Sequence, residues 1–187
     1  MADAPVILCF GDSLTAGYGL LPGQDYPSLL QRRLAEQGFP HRVVNAGLSG
    51  DTTAAAMQRL AWSLKSRPAI AIVVLGANDG FRGGDPDDMR THLLAIIRKL
   101  QESGVRVLLG GMRIPPNYGL SHVERFAAVY PALAKETGVA FLPFFLEGVA
   151  GQPALNLEDG IHPNAAGYRK VLDTLWPVLL PLLTPSG

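Results

Sequence analysis

The sequence predicts a three-layer α/β domain built around a parallel β-sheet. Three observations carry this. Short apolar runs recur, unalternating and rich in β-branched residues and leucine, as expected of strands covered on both faces. Stretches with helical apolar spacing lie between them. The order is strand then helix throughout, with no repeat, linker or low-complexity segment.

The first strand is expected at Val6–Phe10. A helix follows, with Tyr26, Leu29, Leu30 and Leu34 on one face and Gly38 at its C-cap. Arg42–Asn45 reads as the second strand. Ser49, Asp51 or Thr52 caps the next helix, whose apolar face is Met57, Leu60, Ala61 and Leu64. Ala69–Leu75 is the third strand, followed by the irregular loop Gly80–Pro86. Met89, Leu93, Ile96, Ile97 and Leu100 form the third stripe, closed by Gly104. Val105–Gly110 is the fourth strand, and a second irregular loop spans Arg113–Gly119. The fourth helix carries Phe126, Ala127, Tyr130, Leu133 and Ala134, with Gly138 as cap. A fifth strand is placed at Val139–Leu142. Pro163 suits the first turn of the last helix, which presents Tyr168, Val171, Leu172, Leu175 and Trp176. Trp62 and Trp176 read as packing residues, and His122 as exposed.

Composition narrows the function. The 187 residues fit one domain, 1–187, long enough to bury a sizeable core. Hydrophobic residues are 48% and charged residues 17%, which excludes a disordered chain. Lys+Arg and Asp+Glu are both 16, so the basic excess that nucleic-acid binding requires is missing. The lone Cys9 excludes an intramolecular disulfide and, inside an apolar run, reads as a core residue. No C-x-x-C or H-E-x-x-H spacing occurs and the four histidines are scattered, so no metal site is expected. The start, Met1 to Pro5, has no signal-peptide pattern, and Leu175–Leu183 is too short to span a bilayer. A soluble protein is expected: cytoplasmic as written, periplasmic had a leader been removed.

In a parallel sheet the site forms beyond the carboxyl ends of the strands. Gly11-Asp12-Ser13-Leu14-Thr15 follows the first strand, Asn45-Ala46-Gly47-Leu48-Ser49-Gly50 the second, and Gly76-Ala77-Asn78-Asp79 the third. Asp159-Gly160-Ile161-His162-Pro163 precedes the last helix. These segments meet at one rim and supply what acyl transfer needs. A serine hydroxyl attacks only when a base takes its proton, and His162 is the candidate base for Ser13. Asp159, three residues earlier, can fix the imidazole tautomer and balance the imidazolium. The backbone N–H groups of Ser13 and Gly47 and the side-chain amide of Asn78 are candidate oxyanion donors.

The block Gly11-Asp12-Ser13-Leu14 resembles the defining motif of the GDSL, or SGNH, hydrolases. The residues S, G, N and H of that name map onto Ser13, Gly47, Asn78 and His162, and the D-x-x-H-P block onto Asp159–Pro163. Gly76–Asp79 and Met112–Gly119 are similar to two substrate loops of the bacterial arylesterase, thioesterase I and lysophospholipase subgroup. The resemblance implies a flavodoxin-like, five-stranded parallel sheet in the order 2-1-3-4-5, a shallow cleft and no cofactor. It also implies a small-molecule ester substrate and makes Ile114 and Tyr118 candidates for lining an acyl pocket.

Two rival readings stand beside this one. Ser13, Thr15 and Gly17 are compatible with a phosphate cradle of a flavodoxin-like binding module. The apolar helix around Trp176–Leu183 offers a face to a partner or to a second copy, as a homodimer. Taken singly, Asp12 and Asp79 read as turn-formers, and His41 and His92 as packing or surface residues.

Overall fold

The computed structural model describes residues 4–184, so the leader expectation on Met1 to Asp3 lies outside it. Five strands form one parallel sheet in the order β2-β1-β3-β4-β5. They are β1 (Val6–Gly11), β2 (Arg42–Gly47), β3 (Pro68–Val74), β4 (Arg106–Gly110) and β5 (Ala140–Leu142). The expected fold and strand order are therefore the observed ones. Between and after the strands run α1 (Ser13–Ala16), α2 (Tyr26–Glu36), α3 (Thr53–Ser63), α4 (Ala77–Phe81), α5 (Pro86–Glu102), α6 (Leu120–Thr137) and α7 (Ala165–Leu183). Helix α2 packs on α7, while α3, α5 and α6 pack in series. The sheet is thus sandwiched, because its central strands are apolar on both faces and need two covers.

β1 and β3 are buried along almost their whole length. Cys9 lies in that core, where burial pushes its thiol up to about 12 and leaves it unreactive. β2 departs from the expectation of a strand covered on both faces. It is the sheet edge, and its residues are half-buried or exposed. Helix α3 also differs: its buried face is Thr53, Ala56, Leu60 and Ser63, while Met57 and Ala61 face solvent. Thr53, Ala56 and Ser63 on that face are small or polar, so large apolar side chains do not mark it. Trp62 is likewise 72% exposed rather than packed, with the Lys65 ammonium 4.2 Å from its ring centroid.

Two short helices were not foreseen. α1 and α4 begin directly at the carboxyl ends of β1 and β3 and carry the site residues. Of the cap candidates, Thr52 is the one used, accepting from Ala55 N–H. Asn164, not Pro163, opens α7: its side chain accepts from Gly167 N–H, and Pro163 lies outside the first turn. Helix α7 continues through Pro177 and Pro181 to Leu183 and buries Leu175, Leu179 and Leu183 in the core. Of the stretch expected to meet a partner, Leu179 and Leu183 are buried in the fold, while Leu180 remains 42% exposed. No described helix is long and apolar enough to cross a membrane.

Candidate active site

Ser13 is the first residue of α1. The buried Asp12 caps this turn, its Oδ1 accepting from Leu14 N–H at 3.0 Å and its carbonyl from Thr15 and Ala16 N–H. That pattern leaves the Ser13 N–H without an acceptor among the described residues, pointing out of the helix start. Burial pushes the Asp12 carboxyl up to about 6, against the Leu14 N–H and the field of His162, which pull it down. Asp12 is more than the turn-former expected of it, being a buried acid beside the serine.

The segment before α7 brings His162 to that serine. Leu157 N–H donates to His162 O at 2.8 Å, and Asn156 bridges Pro163, so the loop is closed on itself. His162 Nε2 lies 2.9 Å from Ser13 Oγ, and Nδ1 lies 2.5 Å from Asp159 Oδ2. Asp159 Oδ1 also accepts from Ile161 N–H at 2.9 Å and His162 N–H at 3.0 Å. Partial burial pushes this carboxyl up, but the hydrogen bonds from His162 and Ile161 outweigh that and bring it down to about 2. An ionised Asp159 only accepts, which assigns the ring proton to Nδ1 and leaves Nε2 free to accept from the Ser13 hydroxyl. The ring of Tyr18 lies over the imidazole, centroids 4.6 Å apart and planes tilted by 39°.

Asn78 sits in the first turn of α4. Its Nδ2 donates one hydrogen to Asp51 O at 2.8 Å, which orients the amide and leaves the second hydrogen for the cleft. Asp79 fixes α4 against α3, accepting from Thr53 N–H at 2.9 Å and Thr53 Oγ at 2.6 Å.

Gly47 does not meet the expectation. Its N–H already donates to Asn45 Oδ1 at 2.9 Å. Glycine is required there for packing: a Cβ would sit 2.2 Å from Ala16 N. The next glycine along the loop, Gly50, was missed. It is exposed, holds φ +85°, and its N–H meets no acceptor among the described residues. Its loop is tied down by Leu48 N–H to Gly11 O, by Asp51 N–H to Leu48 O, and by Arg82 Nη2 to Gly50 O at 3.0 Å. A sequence signal existed in the second glycine of Gly47-Leu48-Ser49-Gly50, but nothing local ranks one above the other.

The loop candidates separate. Ile114 is buried, packing where Gly80 and Phe126 meet, whereas Tyr118 is half-buried, with its ring 6.1 Å from Phe81. His122 is half-buried rather than exposed. A cavity of about 400 Å³ lies along the Asp159 loop, lined by residues including Gln152, Asn156, Leu157 and Glu158; neither Ser13 nor His162 lines it. Among the described residues, no three His, Cys, Asp or Glu side chains are grouped to hold a metal ion. The phosphate-cradle reading finds little to work with: Thr15 is fully buried, and the N–H groups of Thr15, Ala16 and Gly17 are already spent on Asp12 O and Ser13 O.

A doubly wound parallel sheet bearing a hydrogen-bonded Ser-His-Asp chain beyond its carboxyl ends belongs to the serine-hydrolase class. The model of the GDSL-like Lipase/Acylhydrolase family matches residues 9–170. Esterase TesA of Pseudomonas aeruginosa is 44% identical over 97% of this chain and 91% of its own. Thioesterase 1/protease 1/lysophospholipase L1 of Escherichia coli K12 is 39% identical over 97% of this chain and 86% of its own. The crystal structure of TesA superposes with a TM-score of 0.91 at 43% identity, covering 95% of this chain and 99% of that one. The chain belongs to the GDSL-like lipase/acylhydrolase family.

Proposed function

We propose that the protein is a carboxylic ester hydrolase that carries its substrate's acyl group on Ser13. The observation behind this reading is the unbroken chain from Ser13 Oγ through His162 to Asp159, with links of 2.9 and 2.5 Å. In the first half-reaction Ser13 Oγ attacks the acyl carbon as its proton passes to His162 Nε2. The tetrahedral intermediate collapses, the C–O or C–S bond to the leaving group breaks, and His162 returns the proton to that group. Water then repeats the sequence on the acyl-serine, with His162 as base, and releases the acid and free Ser13. Asp159 keeps the ring oriented and balances the imidazolium in both halves.

The oxyanion is assigned to the Ser13 N–H, the free Asn78 Nδ2 hydrogen and the Gly50 N–H, in place of Gly47. Each such donor is typically worth about 10²–10³ in turnover. The relatives' names extend the range from esters to thioesters and lysophospholipids. Tyr118 is assigned to the acyl side of the cleft, while the buried Ile114 packs near Gly80 and Phe126.

The test is hydrolysis of p-nitrophenyl esters from acetate to palmitate, beside Ser13→Ala and His162→Ala. Turnover by the native protein that falls by several orders of magnitude in both variants supports the reading. An inert native protein, or a fully active Ser13→Ala, overturns it.

A further inference from the structure

The side chain of Arg59 is used by nothing in the mechanism above, yet it is tied into the site by three hydrogen bonds. It leaves α3 and runs under the site, where its side chain is 23% exposed. Nε donates to Asp51 Oδ2 at 2.5 Å, Nη1 to Ala46 O at 2.9 Å and Nη2 to Gly11 O at 2.9 Å. The guanidinium carbon lies 4.5 Å from the centroid of the Phe10 ring. These hydrogen bonds and the ring contact, all from one planar fork, define a fixed geometry that an ammonium could not reproduce.

The acceptors share a property. Gly11 precedes the Asp12-Ser13 turn, Ala46 precedes the loop to Gly50, and Asp51 follows Gly50 and offers its carbonyl to Asn78 Nδ2. Each of the three assigned oxyanion donors therefore hangs from a segment that Arg59 holds. The same three acceptors are negative: two strand-end carbonyls and a carboxylate whose side chain is 8% exposed. Without the guanidinium, their negative charge would oppose an anion forming at the donors they carry.

We propose that Arg59 is the positioning residue of the oxyanion site, setting the spacing of the Ser13, Gly50 and Asn78 donors and cancelling the negative groups beneath them. The inference rests on the ester-hydrolase reading and deepens it. Arg59 bonds to Asp51, Ala46 and Gly11 and not to the Ser13–His162–Asp159 chain; because the donors it positions meet charge that develops only in the transition state, its effect falls on kcat.

The experiment measures kcat and KM on p-nitrophenyl butyrate, with unfolding midpoints, for Arg59→Lys, Arg59→Met and Arg59→Met/Asp51→Asn. Arg59→Met strands the Asp51 carboxylate and is expected to lose stability; neutralising Asp51 in the double variant removes that unpaired charge and restores it. The expected result is that folded Arg59→Lys and the double variant both lose about ten- to a hundred-fold in kcat, with KM within about threefold of native. A double variant or Arg59→Lys with native kcat overturns the proposal, since Arg59 would then only neutralise Asp51. A rise in KM at native kcat overturns it too, by making Arg59 a substrate contact. Failure of the hydrolase reading is distinct: there the native protein has no Ser13-dependent turnover at all.

Discussion

Tyr168 Oη donates to the carbonyl oxygen of Leu14 at 2.8 Å, across 154 residues of chain, so the last helix holds the turn that presents Ser13. Both partners are buried, and the tyrosine cannot ionise in place, because burial raises its hydroxyl far above the usual range. Tyr168→Phe leaves the Leu14 carbonyl dry and unpaired, at a cost of about 1–3 kcal/mol. Urea denaturation should show the midpoint falling with an unchanged slope, and kcat falling more than KM rises.

Asp159→Asn removes the acceptor that holds the Nδ1 proton, while the backbone N–H groups of Ile161 and His162 can still bond the amide oxygen. Geometry survives but the tautomer does not, so kcat should drop by roughly 10³–10⁴ with the fold intact. Steady-state kinetics beside a circular dichroism spectrum checks both halves. A variant retaining most of its activity would remove Asp159 from the triad.

The two loop glycines should behave oppositely. Gly47→Ala drives a methyl into the Ala16 backbone and is expected to destabilise the whole domain by several kcal/mol, of the order seen for overpacked cores. Gly50→Ala has room, its nearest neighbour being Arg82 Nη2 at 3.9 Å, but strains a φ of +85°. About 1 kcal/mol of stability and a larger loss of kcat are expected, because the N–H is re-aimed. Thermal melts and kinetics on the same preparations separate the two.

Asp12 makes stability depend on pH. An unfolded aspartate ionises near pH 4, and the folded one near 6. Below about pH 4 both states are protonated and its stabilising contribution is fully present; as pH rises through 6 it is lost. The difference between those two ionisation points is worth roughly 3 kcal/mol. Asp12→Asn keeps the cap on Leu14 N–H without the charge, so its stability should lose the native fall across that window and exceed the native protein's at pH 7. Asp159 has the opposite sign and another window: its contribution is present above about pH 4 and fades as pH falls toward 2. Denaturant midpoints between pH 4 and 8 test Asp12 as the difference between native and variant, because His41, whose imidazole burial holds below its usual range, titrates in that window in both proteins.

The layered fold was legible because its signals are local. The Val6–Phe10 and Ala69–Leu75 runs and the Met89–Leu100 stripe each declare burial from residues a few positions apart. Ser13 and Asn78, just beyond the first and third strands, could be read because a parallel sheet brings every strand's carboxyl end to one rim, and the Asp159–His162 pair because of its spacing ahead of the last helix. The edge position of β2 was not legible, since sheet order depends on which strands pair. Helix α3 was misread because three of its four buried residues, Thr53, Ala56 and Ser63, are small or polar rather than large and apolar. Gly47 and Gly50 could be told apart only once Asn45 Oδ1 was seen to consume one N–H and leave the other bare. The tethers made by Arg59 and Tyr168 escaped for the same reason, though Tyr168 was placed on the buried face: their partners lie up to 48 and 154 residues away. By itself the sequence determined the class of fold and the chemistry at its rim, because hydrophobic periodicity and motif spacing are properties of neighbouring residues. The tertiary structure alone decided which N–H groups remain free and which side chains hold them in place, because each hydrogen bond is settled between segments that only folding brings together.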